Sequence, residues 1–344
     1  MSVQTVGIDH AKNIFHVHGV DEHGQAVLRR SIKRKDWANF FATLPVCLIG
    51  MEACSSAHYW GALFVSQGHR VRVMSPQFVK PYVKTNKSDR NDAEAICEAV
   101  TRPSMRFVPL KSTEQLDILA VHRVRQRLVG EKVALSNQIR GLLAERGIVL
   151  ARRIAAVHRG LPALLDESSN TLSGGFRELL AERNTELREL ESKIAHYDLL
   201  IRSVCQREEP CQRLGAIEGI GPLTATALYA AAGDARVFKN GRHFAAWLGL
   251  VPRQHSSGGK PRLLGISKRG DTYLRTLLIH GARAVLWRAG NKTDPRSQWL
   301  CALRARRHTN VTCVALANKN ARIAWRLLAY SETYRHSTGA PAAT

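Results

Sequence analysis

The sequence predicts an α/β amino-terminal domain followed by an all-α remainder. Three features carry that prediction: short apolar segments recurring before residue 75, two long stretches of helical periodicity between residues 113 and 206, and a helix-rich final third. Val6 to Ile8 reads as a first strand and Ile14 to Val20 as a second. After the polar turn Asp21-Glu22-His23-Gly24, Ala26 to Ile32 reads as a third. A helix is expected over Trp37 to Leu44, a strand over Val46 to Gly50, a helix over Ala57 to Gln67 and a strand over Arg70 to Met74.

This order, βββαβαβα, feeds later strands through crossover helices. It predicts a mixed sheet covered on both faces, of the kind the ribonuclease-H fold uses. Thr113 to Gly147 carries Leu116, Leu119, Leu128, Leu135, Ile139 and Leu143 at helical spacing, and Gly175 to Gln206 repeats the pattern with Leu180, Leu187, Leu190 and Ile194. The two stretches suit an antiparallel coiled coil, serving as a spacer, a dimer zipper or a basic nucleic-acid contact. Pro210 to Tyr330 is helical with Gly and basic punctuation. The expected domains are 1–108, 109–208 and 209–332, with a disordered tail over 333–344.

The chain of 344 residues is 44% apolar, long enough to bury two cores. Its 51 Lys and Arg against 28 Asp and Glu give a net charge of +23, which points to a polyanionic partner, above all nucleic acid. Seven scattered Cys with no CxxC pair argue against a disulfide framework or a zinc ribbon. The segment MSVQTVGIDHAK lacks signal-peptide order, and no apolar run approaches the ~20 residues of a membrane helix, so a soluble, cytoplasmic protein is expected.

Four acids form a constellation. Asp9 ends the first strand in GIDHAK, Glu52 ends the fourth in LIGMEAC, and Asp89 and Asp92 open a helix in KSDRNDAEAI. Strand ends deliver side chains to the rim of a sheet, and acids three apart on a helix share a face and repel unless a cation lies between them. Carboxylates so placed suit a pair of Mg2+ or Mn2+ ions, roughly 3.5 to 4 Å apart, acting on a phosphodiester. Singly, Asp9 could close a turn, Glu52 could cap the next helix and Asp89 could be an N-cap residue. Glu94 and Asp21 are assigned to solvated surface.

These motifs, with the helical spacer and then GIGPLTA and LGLVPRQHSSGGKPRLLGISKRGDTYLRTLLIHGA, resemble the insertion sequence 110 family of DEDD transposases from Asp9 to about Ala329. The resemblance implies a RuvC-like domain with Asp9, Glu52, Asp89 and Asp92 as its acidic set and a carboxy-terminal transposase domain with a catalytic serine. It also implies recombination of donor and target DNA under a structured bridge RNA, in an active site assembled from two protomers. KSDRNDA stands where family members often have a KTDKNDA-like run, with every acid kept.

His255-Ser256-Ser257-Gly258-Gly259-Lys260 places a hydroxyl on a flexible basic loop, with Arg253, Lys260 and Arg262 near enough in sequence to hold phosphate oxygens. Alone it reads more often as a mere turn whose backbone binds phosphate. The resemblance points to Ser257 as nucleophile, with Ser256 as its rival. Gly219-Ile220-Gly221-Pro222-Leu223-Thr224 resembles the hairpin of a helix-hairpin-helix, so Gly219, Gly221 and Thr224 are candidate phosphate contacts. Lys268 and Arg269 could neutralise phosphate, and Asp271 could cap a helix over Thr272 to Trp287 whose His280 and Arg283 either face nucleic acid or pack inward.

Besides recombination by a serine with metal-bound carboxylates, two other functions fit the residues. One is a RuvC-like nuclease or resolvase that cuts branched DNA with water. The other is a non-enzymatic basic nucleic-acid-binding protein whose acids are structural. Recombination needs two DNA partners, so a homodimer or homotetramer is expected.

Overall fold

The computed structural model describes residues 2–84, 88–166 and 172–335. The chain divides into two compact units, the first running to Ser112 and taking in Ala232–Val237, the second running from Thr113 to Ala231 and onward from Phe238.

The first unit is built on β1 (Thr5–His10), β2 (Ile14–Val20), β3 (Ala26–Lys33), α1 (Trp37–Ala42), β4 (Leu48–Glu52), α2 (Ala57–Ser66), β5 (Arg70–Met74), α3 (Pro76–Val79), α4 (Asp89–Val100) and β6 (Phe107–Val108). The strands form one mixed sheet in the order β3-β2-β1-β4-β5-β6. β1, β2 and β3 make an antiparallel meander, β1, β4 and β5 run parallel, and β6 returns antiparallel on β5. This is the ribonuclease-H-like arrangement the strand pattern predicts. β4 begins at Leu48, two residues later than expected, and Val46 is exposed.

Each face of the sheet has its own cover. Val6, Ile8, Phe15 and Val17 alternate onto one face, where they meet Trp37 and Phe41 of α1 and Trp60 and Phe64 of α2 in one buried cluster. The rings pack closely, with centroids 3.8 Å apart for Phe15 and Trp37 and 4.4 Å for Phe41 and Phe64. On the other face α4 lies almost on backbone. A Cβ at Gly7 would fall 2.2 Å from the Ala93 carbonyl oxygen, and one at Gly50 would fall 2.8 Å from Val100. Glycine at these two strand positions therefore sets how near α4 comes to the sheet.

The second unit contains α5 (Thr113–Ala144), α6 (Ile154–Asp166), α7 (Gly174–Arg207), α8 (Glu209–Gly215), α9 (Pro222–Ala232, whose last residue falls in the first unit), α10 (Gly241–Trp247), β7 (Pro252–Gln254), β8 (Leu263–Ile266), α11 (Thr272–Ala289), α12 (Pro295–Arg306) and α13 (Thr309–Tyr330). α5 and α7 pack antiparallel. Arg125 meets Asp198 at 2.6 Å, Lys132 meets Glu191 at 3.6 Å, and the Arg146 guanidinium sits 4.9 Å over Phe176, so residues ascending one helix meet residues descending the other. Leu128, Leu135, Ile139 and Leu143 bury against Leu180, Leu187, Leu190 and Ile194, and α6 adds Val157 and Leu161 to that core. Of the tail expected over 333–344, Tyr334 is held by a hydrogen bond from Arg296 Nη2 at 2.9 Å, and 336–344 lie outside the described residues. No helix among the described residues is long and apolar enough to cross a membrane.

Candidate active site

Asp9 and Glu52 follow Gly7 and Gly50 by two residues, so strand alternation turns both toward the face that α4 covers. The parallel register pairs Gly7 with Gly50 and Ile8 with Met51, which brings Asp9 and Glu52 abreast as the strands end. Ser88 caps α4, its Oγ accepting from Asn91 N–H at 3.3 Å, so Asp89 is not the cap residue. Asp89 and Asp92 occupy the first helical turn, where the helix dipole favours negative charge.

Asp9, Asp89 and Asp92 converge. Each offers a carboxylate oxygen, and these oxygens lie within 4.8 Å of one another. Glu52 is not part of that trio but shares its surroundings: burial, then the charges of Glu52 and Asp9, push the Cys54 thiol up to about 11. Hard oxygen donors crowded at a helix start fit a Mg2+ or Mn2+ centre better than a zinc site. His16 also belongs here. It pairs with Asp9 across the β1–β2 ladder, and its Nε2 lies 3.4 Å from Asp89. His16 Nδ1 lies at hydrogen-bond distance, 3.0 Å, from the Ser31 hydroxyl. The signal lay in β2, where Phe15 and Val17 alternate into the core and so place His16 on the opposite face.

The two acids assigned to solvated surface differ from each other. Asp21 is buried, 7% exposed, and its Oδ1 accepts from the N–H groups of His23 and Gln25 at 2.9 Å, so it closes the β2–β3 turn and is not a surface charge. Glu94 is half-buried and pairs with Lys84 at 3.7 Å.

Ser257 sits at the tip of a β-hairpin instead of on an irregular loop. β7 and β8 pair antiparallel, His255 N–H donates to Arg262 O at 2.9 Å, and Lys260 N–H donates to Ser257 O at 3.1 Å. Between them Gly258 and Gly259 both take positive φ, 57° and 74°, the requirement of a tight two-residue turn. Ser256 accepts from Gln254 Nε2 at 2.9 Å. Arg253, Lys260 and Arg262 are exposed along the hairpin, and Lys268 and Arg269 at its base. That base is fixed: buried Arg275 donates to the Leu248 carbonyl at 3.2 Å, and a Cβ on Gly270 would fall 1.9 Å from the Trp247 carbonyl oxygen. Asp271 caps α11 by accepting from Leu274 N–H at 3.0 Å.

The GIGPLT segment is divided. Gly219, at φ 90°, packs against the Gly281 carbonyl of α11, and the Thr224 side chain is buried. Gly221 is exposed at the start of α9 with nothing within 4 Å of a Cβ. On α11, His280 is exposed, whereas Arg283 is half-buried and donates to Asn310 Oδ1 at 3.3 Å.

Residues 6–147 match a family model named for the DEDD transposases of IS110 and described as "Transposase", and residues 211–298 match the "Transposase IS116/IS110/IS902 family" model. The chain is 55% identical to the "Probable family 20 transposase" of Pseudomonas aeruginosa, over 97% of this chain and 99% of that one. It is 47% identical to the "Transposase for insertion sequence element IS1111A" of Coxiella burnetii, over 97% of this chain and 92% of that one. At 42% identity it matches the "Transposase for insertion sequence element IS1328" of Yersinia enterocolitica, over 94% of this chain and 96% of that one.

Proposed function

The chain belongs to the IS110 family of insertion-sequence transposases, and we propose from that premise that it cuts and rejoins DNA with Ser257 as nucleophile and with Asp9, Glu52, Asp89 and Asp92 holding Mg2+ or Mn2+. The observation that carries this reading is the convergence of Asp9, Asp89 and Asp92 from the end of a strand and the start of a helix some 80 residues on. Two divalent ions bound there would neutralise charge on the attacking and leaving oxygens of a phosphodiester. His16 keeps the Asp89 carboxylate oriented.

At the hairpin tip, Gly258 and Gly259 leave Ser257 open to a phosphate, and Arg253, Lys260 and Arg262 supply cations for its oxygens. Ser257 Oγ bonds to phosphorus as the bond to the leaving deoxyribose oxygen breaks, and the serine proton ends on the released hydroxyl. Attack by a hydroxyl of a second strand reverses the step and frees Ser257, so phosphodiester bonds are exchanged without loss. A structured guide RNA choosing the donor and target sites accords with the family resemblance and with the net charge of +23.

Strand exchange between donor and target plasmids in magnesium tests the assignment. Ser257→Ala and Asp92→Ala are each expected to lower exchange by on the order of a thousandfold while nucleic-acid binding persists. Denaturant should trap a covalent protein–DNA adduct with the parent protein and none with Ser257→Ala. An active Ser257→Ala protein would move the nucleophile to Ser256 or water, and an active Asp92→Ala protein would dismantle the metal site.

A further inference from the structure

A groove of about 1170 Å³ lies in the second unit among α10, α12, α13 and the segment after α13. α13 presents to it a stripe at helical spacing that includes Lys319, Arg322 and Arg326, a row of cations ~10 Å long. Arg326 is bound by Glu332 at 2.9 and 2.8 Å, so Lys319, Arg322, the exposed Arg242 of α10 and the exposed Arg335 after α13 are the cations the groove offers. Three aromatic side chains line this space, of which Trp325 is buried in its wall. Trp299 of α12 is half-buried with Lys319 Nζ 5.0 Å from its ring centre, and Tyr334 is fixed by Arg296.

The surrounding sequence is almost of one sign. From Thr272 to Tyr330 there are eleven Lys and Arg and one acid, Asp294, whose oxygens are taken up capping α12. Flat aromatic faces beside a row of cations match a ligand that alternates flat bases with phosphates. A duplex offers the phosphates but keeps its base faces stacked inside. We propose that this groove binds an unpaired strand of DNA of the kind that strand exchange exposes. The inference rests on membership of a DNA transposase family and is independent of the roles given to Ser257 and the carboxylates.

The test is equilibrium binding of a fluorescein-labelled oligothymidylate to the full-length protein without divalent metal, read by anisotropy, so that failure of the chemistry does not affect it. Trp299→Ala and Arg322→Ala should each weaken binding roughly tenfold, and Trp299→Phe should retain most of it. Affinity for a duplex of equal length should change less than about twofold in the Trp299 variants, whose loss is of stacking and not of charge. Trp287→Ala, at a tryptophan 82% exposed on α11 and outside the groove, should bind like the parent. Folded Trp299→Ala and Arg322→Ala proteins with parental affinity would overturn the proposal, as would equal loss on duplex and single strand by Trp299→Ala. Tighter binding of an oligouridylate would give the groove to RNA and also overturn it. Should Trp299→Ala fail to fold, Arg322→Ala decides.

Discussion

His122 of α5 illustrates how one side chain can be committed to a single protonation state. It is 2% exposed, and its Nε2 and Nδ1 lie 2.9 Å from the hydroxyls of Thr226 and Tyr273. Thr226 donates its proton to the Pro222 carbonyl at 2.8 Å, so it accepts from His122 Nε2–H, and Nδ1 accepts from Tyr273. Burial, aided by the charge of Arg125, pushes the imidazole down from 6.5 to about 4. Between those values the unfolded chain holds a proton that the folded chain refuses, so the stability of the second unit is full above pH 6.5 and declines as pH falls toward 4. The loss amounts to about 3 kcal/mol. Urea unfolding at a series of pH values should show this decline in the parent and a flatter profile in His122→Gln. Equal slopes would mean that the network does not hold the ring neutral. At this scale the sequence was partly legible. The acids Asp9, Glu52, Asp89 and Asp92 stood out by type and spacing. His16 and Asp21 did not, because their positions depend on strand register and burial, which residue identity alone does not specify.

The element that organises the acidic site is α4, and its position depends on two glycines. Gly7→Ala would place a methyl 2.2 Å from the Ala93 carbonyl oxygen and 2.3 Å from the Cys97 nitrogen, both backbone atoms that cannot rotate away. The helix must lift, moving Asp89 and Asp92 away from Asp9. A destabilisation of about 3 kcal/mol or more is expected, together with loss of strand exchange, although no acid is altered. Chemical denaturation and the plasmid assay check both, and a variant of parental stability and activity would show that α4 can move without consequence. The five strands that alternate or run apolar were legible, as were α5, α7 and α11. β6 spans two residues and carries no period. α6 contains Pro162, which interrupts the usual reading of a helix. β7 and β8 are almost wholly exposed, Leu263 included, so no apolar alternation marks them, and the segment reads from sequence as a flexible loop or turn.

Across the whole molecule, charge is distributed by function. A chain of net charge +23 gathers Asp9, Asp89 and Asp92 at one end of a sheet, against the general trend of its surface, and repulsion among them disfavours that arrangement unless cations join it. Mixed-sheet class, helical remainder and polyanion binding all follow from pattern and composition, which average over many residues. The groove on α13 does not, since it depends on three helices meeting. The most direct test of the central claim is a Mn2+ titration followed by electron paramagnetic resonance on the parent protein and on Asp9→Asn and Asp92→Asn. Specific ions bound by the parent and lost by either variant are the predicted result. Identical titrations for all three proteins would contradict it.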